Sequence, residues 1–168
     1  MSVHEHKERG KTSIRCFVVT VSDTRDQMTD TSGQAIKKFL SDAGHQTTGY
    51  RIVKDEPLDI EALLKDALSR SGVDAVIVNG GTGISPRDGT YEVVNRFLEK
   101  TLDGFGEVFR YLSYLDIGSA AIMSRAAAGT ARGKVLISLP GSKGAVTLAM
   151  EKLILPEIRH MVSQLQGQ

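Results

Sequence analysis

The chain has 168 residues and carries 21 lysines and arginines against 20 aspartates and glutamates, which gives a formal net charge of +1 at pH 7. A charge so near zero excludes the strong positive field that draws proteins to nucleic acids or anionic membranes. Aromatic residues make up only 5% of the chain and tryptophan is absent, which argues against a stacking surface for single-stranded nucleic acid. We therefore expect a small-molecule ligand, with neither nucleic acid nor membrane as a partner.

The length fits one domain, and the sequence shows no repeat or interdomain linker. Cys16 is the only cysteine and lies in an apolar run, which excludes a disulfide framework and predicts a buried, unreactive thiol. No apolar stretch reaches the ~20 residues that a membrane helix needs, and residues 1–13 lack the apolar centre of a signal peptide. We predict a flexible arm over 1–13, a single domain over 14–168 and a cytoplasmic location.

The first half of the chain alternates strands with helices. Nearly continuous apolar runs predict buried strands, whereas a more polar, β-branched run predicts a strand at the sheet edge. The buried strands are 14–21 and 74–79, the second of them central, and the edge strand is 45–53. The helix after the first strand is expected to begin with a capping box of Thr31 and Gln34, and the helix after the edge strand begins at Pro57.

The second half adds two helical patterns, a hairpin and a long final helix. The helical patterns cover 90–100 and 105–115. Segments 125–131 and 134–139 flank Arg132-Gly133 and predict a hairpin, which places one antiparallel strand in the sheet. The final helix is expected to kink or restart at Pro156. These elements predict an α/β fold, a three-layer αβα sandwich with a mostly parallel sheet and one antiparallel strand.

The loop after the central strand carries the strongest chemical signal. From Asn79 to Asp88 it reads Asn-Gly-Gly-Thr-Gly-Ile-Ser-Pro-Arg-Asp, between an apolar strand and a helical pattern. Gly80, Gly81 and Gly83 let backbone N–H groups face an anion, and the helix that follows directs its positive end at phosphate. Because the carboxylate of Asp88 would repel a bare phosphate, the loop predicts a divalent cation between them, with Mg²⁺ the commonest choice.

A parallel sheet brings the loops at the carboxyl ends of its strands to one edge. The loops with polar or glycine-rich residues are 22–30, 55–56, 80–88 and 140–144. Taken alone, Asp88 is a turn or helix-dipole carboxylate, and Asp55 belongs to an ordinary acidic segment before a helix. Taken together on two loops of the same edge, the two acids fit the shared ligation of Mg²⁺ in phosphoryl or nucleotidyl transfer.

Other polar residues of these loops have a structural and a functional interpretation. Ser142 is either a helix cap or, with the amides of Gly141 and Ser142, part of a site for a second anion or a polar ring edge. Arg87 and Arg125 are either surface charges or phosphate ligands. A nicotinamide-dependent oxidoreductase would also explain the α/β pattern, but the glycine loop lacks the G-x-G-x-x-G fingerprint.

Three motifs carry a resemblance to a known family. They are Gly80-Gly81-Thr82-Gly83 continuing to Arg87-Asp88-x-Thr90, Ser22-Asp23 with Asp30-x-Ser32-Gly33, and Leu139-Pro140-Gly141-Ser142. With these motifs the chain resembles the MoaB/MogA proteins of molybdenum cofactor biosynthesis, and within them it is more similar to MoaB. The resemblance spans about 14–158.

This resemblance implies a molybdopterin-binding α/β domain that forms a trimer or a dimer of trimers. It implies adenylylation of molybdopterin with Mg²⁺ and ATP and release of pyrophosphate, with the molybdenum-insertion protein of the pathway as a partner. Asp55 and Asp88 correspond to the catalytic and metal-binding acids. The substrate-binding residues would be Ser22, Gly80, Gly81, Thr82, Gly83, Arg87, Pro140, Gly141 and Ser142. A non-catalytic molybdopterin-binding or carrier protein of the same pathway is the alternative that the same loops allow.

Overall fold

A computed structural model describes residues 13–167 of the chain. The arm predicted over 1–13 lies outside the described residues apart from Ser13, whose Oγ donates to the carbonyl oxygen of Gly44 at 2.8 Å. Between residues 13 and 167, no helix has the length and apolar character needed to cross a membrane.

Six strands form one sheet, in the order β2-β1-β3-β6-β5-β4. The strands are β1 Arg15–Val21, β2 Gln46–Val53, β3 Ala75–Asn79, β4 Lys100–Thr101, β5 Ala127–Ala131 and β6 Lys134–Leu139. At the centre, Val18 of β1 pairs with Ile77 of β3, which pairs with Ile137 of β6, all in parallel register. Strand β5 runs antiparallel to both of its neighbours, β4 and β6. The predicted sheet, with β2 at an edge and β3 central, is confirmed.

Helices cover both faces of this sheet. They are α1 Thr31–Asp42, α2 Pro57–Ser69, α3 Thr90–Phe97, α4 Asp103–Ile117, α5 Lys143–Ala149 and α6 Leu155–Leu165. Helices α1, α4, α5 and α6 share one apolar core with the sheet, and α2 and α3 share a second core on the opposite face. Strand alternation serves both cores, since Val18 faces the first and Val19 the second. The predicted three-layer sandwich is confirmed.

Cys16 lies in the first of these cores and is fully buried. Burial raises the pKa of its thiol to about 12, with a smaller contribution from the charge of Asp74. The thiol therefore stays protonated at neutral pH, as the sequence predicts for an apolar core residue.

The start of α1 differs from the predicted capping box. Asp30 is the cap, and its Oδ1 accepts a hydrogen bond from the backbone N–H of Gly33 at 2.9 Å. Gln34 is directed elsewhere, with Nε2 donating to the carbonyl oxygen of Gln27 at 3.0 Å. The buried carboxylate of Asp30 also accepts a hydrogen bond from the Tyr50 hydroxyl at 2.6 Å. This contact between distant segments stabilises Asp30 in the cap position.

Three details of the second half concern the points at which helices and strands begin or end. The helix predicted over 90–100 ends at Phe97, and Lys100–Thr101 instead form β4, which is too short to leave a sequence pattern. The predicted hairpin is confirmed, with φ of 50° at Arg132 and 71° at Gly133 in its turn. The restart at Pro156 is also confirmed, since a π-helical turn precedes α6 and Pro156 stands in its first turn.

Candidate functional site

The loops after β1, β3 and β6, together with Met123 and Ser124 from the segment after α4, line one cavity at the carboxyl edge of the sheet. The cavity has a volume of about 550 Å³. Its lining residues are Val21, Ser22, Thr24, Arg25, Gly80, Gly81, Thr82, Gly83, Asp88, Met123, Ser124, Pro140, Gly141 and Ser142. Every predicted site residue is among them except Asp55 and Arg87, so the fold does bring remote segments of the chain together.

Two glycine turns form the floor where β3 and β6 end. Gly80 and Gly81 have φ of 94° and 63°, a left-handed conformation that is unfavourable for residues with a Cβ atom. A Cβ on Gly80 would stand 2.2 Å from the carbonyl oxygen of Val21, and one on Gly141 would stand 2.9 Å from the Cα of Gly80. The turns therefore pack backbone against backbone, which leaves a cavity wall of main-chain groups.

Asp55 lies behind the glycine turn and is only 7% exposed. Its Oδ1 accepts a hydrogen bond from the N–H of Gly89 at 3.2 Å, and its own N–H donates to Asp23 Oδ1 at 3.0 Å. Burial raises the pKa of Asp55, and the negative charges of Asp88 and Asp23 raise it further. A buried acid next to two other acids is a group that gains from a bound cation.

Asp88 lies on the cavity side of the glycine loop that follows β3. Its Oδ2 accepts a hydrogen bond from the N–H of Ser85 at 2.9 Å, so the carboxylate also stabilises a local turn. A Cβ on Gly83 would stand 2.5 Å from that oxygen, which places the carboxylate directly over the glycine loop. Its turn-forming role and its place in the cavity are therefore compatible.

Thr90, the last residue of the glycine-loop motif, is the first residue of α3. It is fully buried, and its Oγ1 has no hydrogen-bond partner among the described residues. A Cβ built on Gly81 would stand 2.2 Å from this hydroxyl and 2.6 Å from Asp55 Oδ2, so both oxygens approach the same glycine. An orphaned buried oxygen beside a buried carboxylate marks a place where a further polar group fits.

Arg87 lies outside the cavity on the exposed side of the loops. Its Nη2 donates to Asp23 Oδ2 at 2.9 Å and its Nη1 to Glu56 Oε1 at 2.5 Å. The Arg87 guanidinium is the main reason why the pKa of Asp23 lies below its usual range. Arg87 therefore ties together the loops that hold Asp23, Glu56 and Asp88, while its predicted contact with phosphate stays a prediction.

The loop after β6 is fixed from two sides. Ser142 caps α5, its Oγ accepting from the N–H of Ala145 at 3.2 Å, in agreement with its structural interpretation. The carbonyl oxygen of Gly141 accepts from Ser32 Oγ at 2.8 Å and from Arg25 Nη1 at 3.3 Å. Thr24 and Arg25 of the predicted loop 22–30 also line the cavity, and so do Met123 and Ser124, for which the sequence predicts no role there. For Arg25, the signal was its position in a loop directly after a buried strand.

Comparison with known proteins agrees with this geometry. Residues 17–160 match the family model described as "Probable molybdopterin binding domain". Molybdenum cofactor biosynthesis protein B of Bacillus cereus is 51% identical over 169 residues, which cover 100% of both chains. The protein of the same name from Bacillus subtilis is 51% identical over 175 residues, covering 99% of this chain and 98% of that relative. The chain belongs to this molybdopterin-binding domain family.

Solved structures of the family share the fold. The crystal structure of a molybdenum cofactor biosynthesis protein B has a TM-score of 0.90 at 51% identity and covers 93% of this chain and 98% of its own. The tungsten cofactor synthesizing protein MoaB from Pyrococcus furiosus has a TM-score of 0.83 at 37% identity, covering 93% and 99%. These structures confirm the resemblance to MoaB that the motifs predict.

Proposed function

We propose that this protein acts in molybdenum cofactor biosynthesis, where it binds molybdopterin and transfers the adenylyl group of ATP to the terminal phosphate of the pterin. The observation that carries this proposal is the cavity in which two glycine turns and Asp88 meet, with Asp55 directly behind them. Family membership supports the pterin as ligand. The position of Asp55 and Asp88 beside glycine turns of the kind that bind phosphate supports nucleotidyl transfer.

The proposed reaction is a displacement at phosphorus. An oxygen of the terminal phosphate of molybdopterin forms a bond to the α-phosphorus of ATP, and the bond from that phosphorus to the oxygen bridging to the β-phosphate breaks. The products are adenylylated molybdopterin and pyrophosphate. Because the attacking phosphate is already ionised at neutral pH, no side chain has to act as a general base. The task left to the protein is to bring several anions together and hold them in line.

The residues of the site fit Mg²⁺ as the ion that accompanies ATP. The buried Oδ2 of Asp55 and the orphaned Oγ1 of Thr90 both approach Gly81, and Asp88 lies over Gly83 in the same loop. Between residues 13 and 167 there is no cluster of three or more metal-binding acidic, histidine or cysteine side chains. Mg²⁺ with ATP needs only one or two carboxylates, because phosphate oxygens and waters complete its coordination, and it would neutralise charge on the phosphates. In this proposal Asp55 and Asp88 hold the ion.

The backbone of the glycine loop has a separate task. The N–H of Gly80 already donates to the carbonyl oxygen of Leu139 at 3.0 Å, so in this proposal the N–H groups after Gly80 face the cavity and donate to phosphate oxygens. The loop after β6, with the amides of Gly141 and Ser142, would hold the pterin side of the substrate. This division keeps the nucleotide near the acids and the pterin near α5.

The proposed assembly is a homo-oligomer, a trimer or a dimer of trimers. An apolar surface along α4 and the turn after it supports this proposal. Its exposed large side chains are Val108, Tyr111, Tyr114, Leu115, Ile117, Ile122 and Met123. Contiguous apolar residues of this kind mark interaction sites on proteins. Light scattering on the purified protein measures the mass, and a monomer at micromolar concentration would contradict the assembly.

A release assay tests the proposed activity. Purified protein, ATP, Mg²⁺ and molybdopterin are expected to yield pyrophosphate and an adenylylated pterin in equal amounts, and omission of any one component should abolish both products. The matched control is the Asp88→Asn variant, which retains the turn but not the negative charge. If the pterin binds and no pyrophosphate appears, the protein is instead a non-catalytic molybdopterin-binding or carrier protein of the same pathway.

A further inference from the structure

Three arginines lie in or beside the loops around the cavity, and in two of them both Nη atoms donate to protein groups. Arg87 pairs with Asp23 and Glu56 on the exposed side. Arg125 donates to Glu92 and to carbonyl oxygens of the glycine loop. Arg25 is the third, and it lines the cavity. Among the lining residues it carries the only positive side-chain charge, and Asp88 carries the only negative one.

Arg25 is anchored through one edge of its guanidinium group. Nη1 donates to Ser32 Oγ at 3.2 Å and to the carbonyl oxygen of Gly141 at 3.3 Å, and it lies 3.6 Å from Oδ1 of the buried Asp30. The backbone N–H of Arg25 donates to Ser22 Oγ at 3.1 Å, which fixes the loop that carries it. These contacts restrict the side chain, so little conformational freedom remains to be lost when a ligand binds.

The other edge of the guanidinium group is available. Within residues 13–167, Nε and Nη2 of Arg25 have no hydrogen-bond partner, and the side chain is one third exposed. Nε and Nη2 form the edge that binds two oxygens of one phosphate or carboxylate in parallel. The position beside Gly141 is the side of the cavity that the proposed function gives to the pterin.

We propose that Arg25 binds the terminal phosphate of molybdopterin through Nε and Nη2, and this assignment rests on the proposed function. The phosphate must approach a cavity that contains Asp88 and has Asp55 behind it, and two carboxylates alone would oppose it. A fixed guanidinium beside Gly141 offsets that repulsion and orients the phosphate oxygen that attacks ATP. Arg25 is in this way a binding residue selective for pterins that carry a phosphomonoester.

Binding of two pterins separates this role from a structural one. The probes are the fluorescent oxidised pterin with its side-chain phosphate and the same compound after phosphatase treatment, each titrated without ATP. Arg25→Gln is expected to weaken binding of the phosphorylated probe roughly 10- to 100-fold, the usual range for a lost charge-assisted hydrogen bond. The dephosphorylated probe should bind wild type and variant within about threefold of each other. Arg25→Lys keeps the charge without the fork and should recover part of the loss.

Two comparison variants complete the experiment. Arg51→Gln makes the same substitution on the edge strand, where the side chain is exposed and Nη1 donates to the Tyr50 carbonyl oxygen, and it should leave both affinities unchanged. Ser32→Ala removes the 2.8 Å bond to Gly141 and one of the two hydrogen-bond acceptors of Arg25 Nη1, so it should weaken binding of the phosphorylated probe, but by less than Arg25→Gln does. An equal loss of both probes in Arg25→Gln, or no loss of either, would overturn the assignment. If Arg25→Gln selectively loses binding of the phosphorylated probe while the wild-type protein releases no pyrophosphate, the assignment of Arg25 holds and the proposed adenylyltransferase activity is wrong.

Discussion

The guanidinium Nε of Arg125 donates a hydrogen bond to the carbonyl oxygen of Thr82 at 2.8 Å, across a sequence separation of 43 residues. Its Nη2 reaches the next carbonyl, that of Gly83, while Nη1 pairs with Glu92 of α3. The group also lies over the ring of Tyr91, with 4.8 Å between Cζ and the ring centroid. Arg125 therefore cross-links the glycine loop to the helix that follows it, and its donors face protein groups instead of a phosphate.

Replacing this cross-link should loosen the loop. We expect Arg125→Lys to lose the forked contacts with Thr82 and Gly83, to lower the free energy of unfolding by about 1–3 kcal/mol and to weaken ATP binding. Urea denaturation and a nucleotide titration measure the two effects. Arg96→Lys is the matched control, because Arg96 is exposed and its Nη2 pairs with Glu61 Oε2 at 3.4 Å. Equal behaviour of the two variants would show that Arg125 does not restrain the loop.

Asp88 should be required for turnover and dispensable for folding. In Asp88→Asn the side-chain oxygen can still accept from the N–H of Ser85, so the turn remains. The negative charge that would hold Mg²⁺ is lost, and we expect pyrophosphate release to fall by at least about 100-fold. Melting temperature and release rate are measured on the same preparation. An intact rate in the variant removes this carboxylate from the mechanism.

Gly81 should resist even the smallest side chain. In Gly81→Ala the new Cβ would meet Thr90 Oγ1 at 2.2 Å and Asp55 Oδ2 at 2.6 Å, at a φ of 63°. We expect a loss of at least about 2 kcal/mol of unfolding free energy, from overlap and left-handed strain together. In Gly104→Ala, the control, the Cβ meets no atom within 4 Å, so stability should stay the same or rise slightly. Similar unfolding curves for both variants would contradict the crowding at Gly81.

The sequence predicts the parts of this protein that depend on local pattern. Apolar runs predict the central strands, and glycines followed by Asp88 predict the edge at which they meet. Contacts between distant segments leave no such pattern. Asp30 caps α1 because Tyr50 approaches it from another strand, and the donors of Arg125 face Thr82 and Gly83 from a segment more than forty residues later. Arg25 and Arg87 look alike in sequence, and only the fold places Arg25 in the cavity.

Asp55 should destabilise the protein at neutral pH in the absence of metal. Burial and the charges of Asp88 and Asp23 raise its pKa in the folded state, so the folded protein holds the proton more tightly than the unfolded chain. The contribution of Asp55 to stability is therefore greatest at low pH. It falls as pH rises from the ordinary value near ~4 to the raised pKa, and it stays reduced above that value.

Asp55→Asn removes this effect. The amide oxygen can still accept from the N–H of Gly89, and the amide NH₂ in place of Oδ2 lies on the side of the unpartnered Thr90 hydroxyl. With chelator present, we expect the variant to melt higher than wild type at pH 7, by on the order of 2 °C, and the difference to vanish as the pH falls to about 4. The same variant should fail to release pyrophosphate. A variant that melts lower than wild type at pH 7 would mean that ionised Asp55 is already compensated by the protein alone, without a cation.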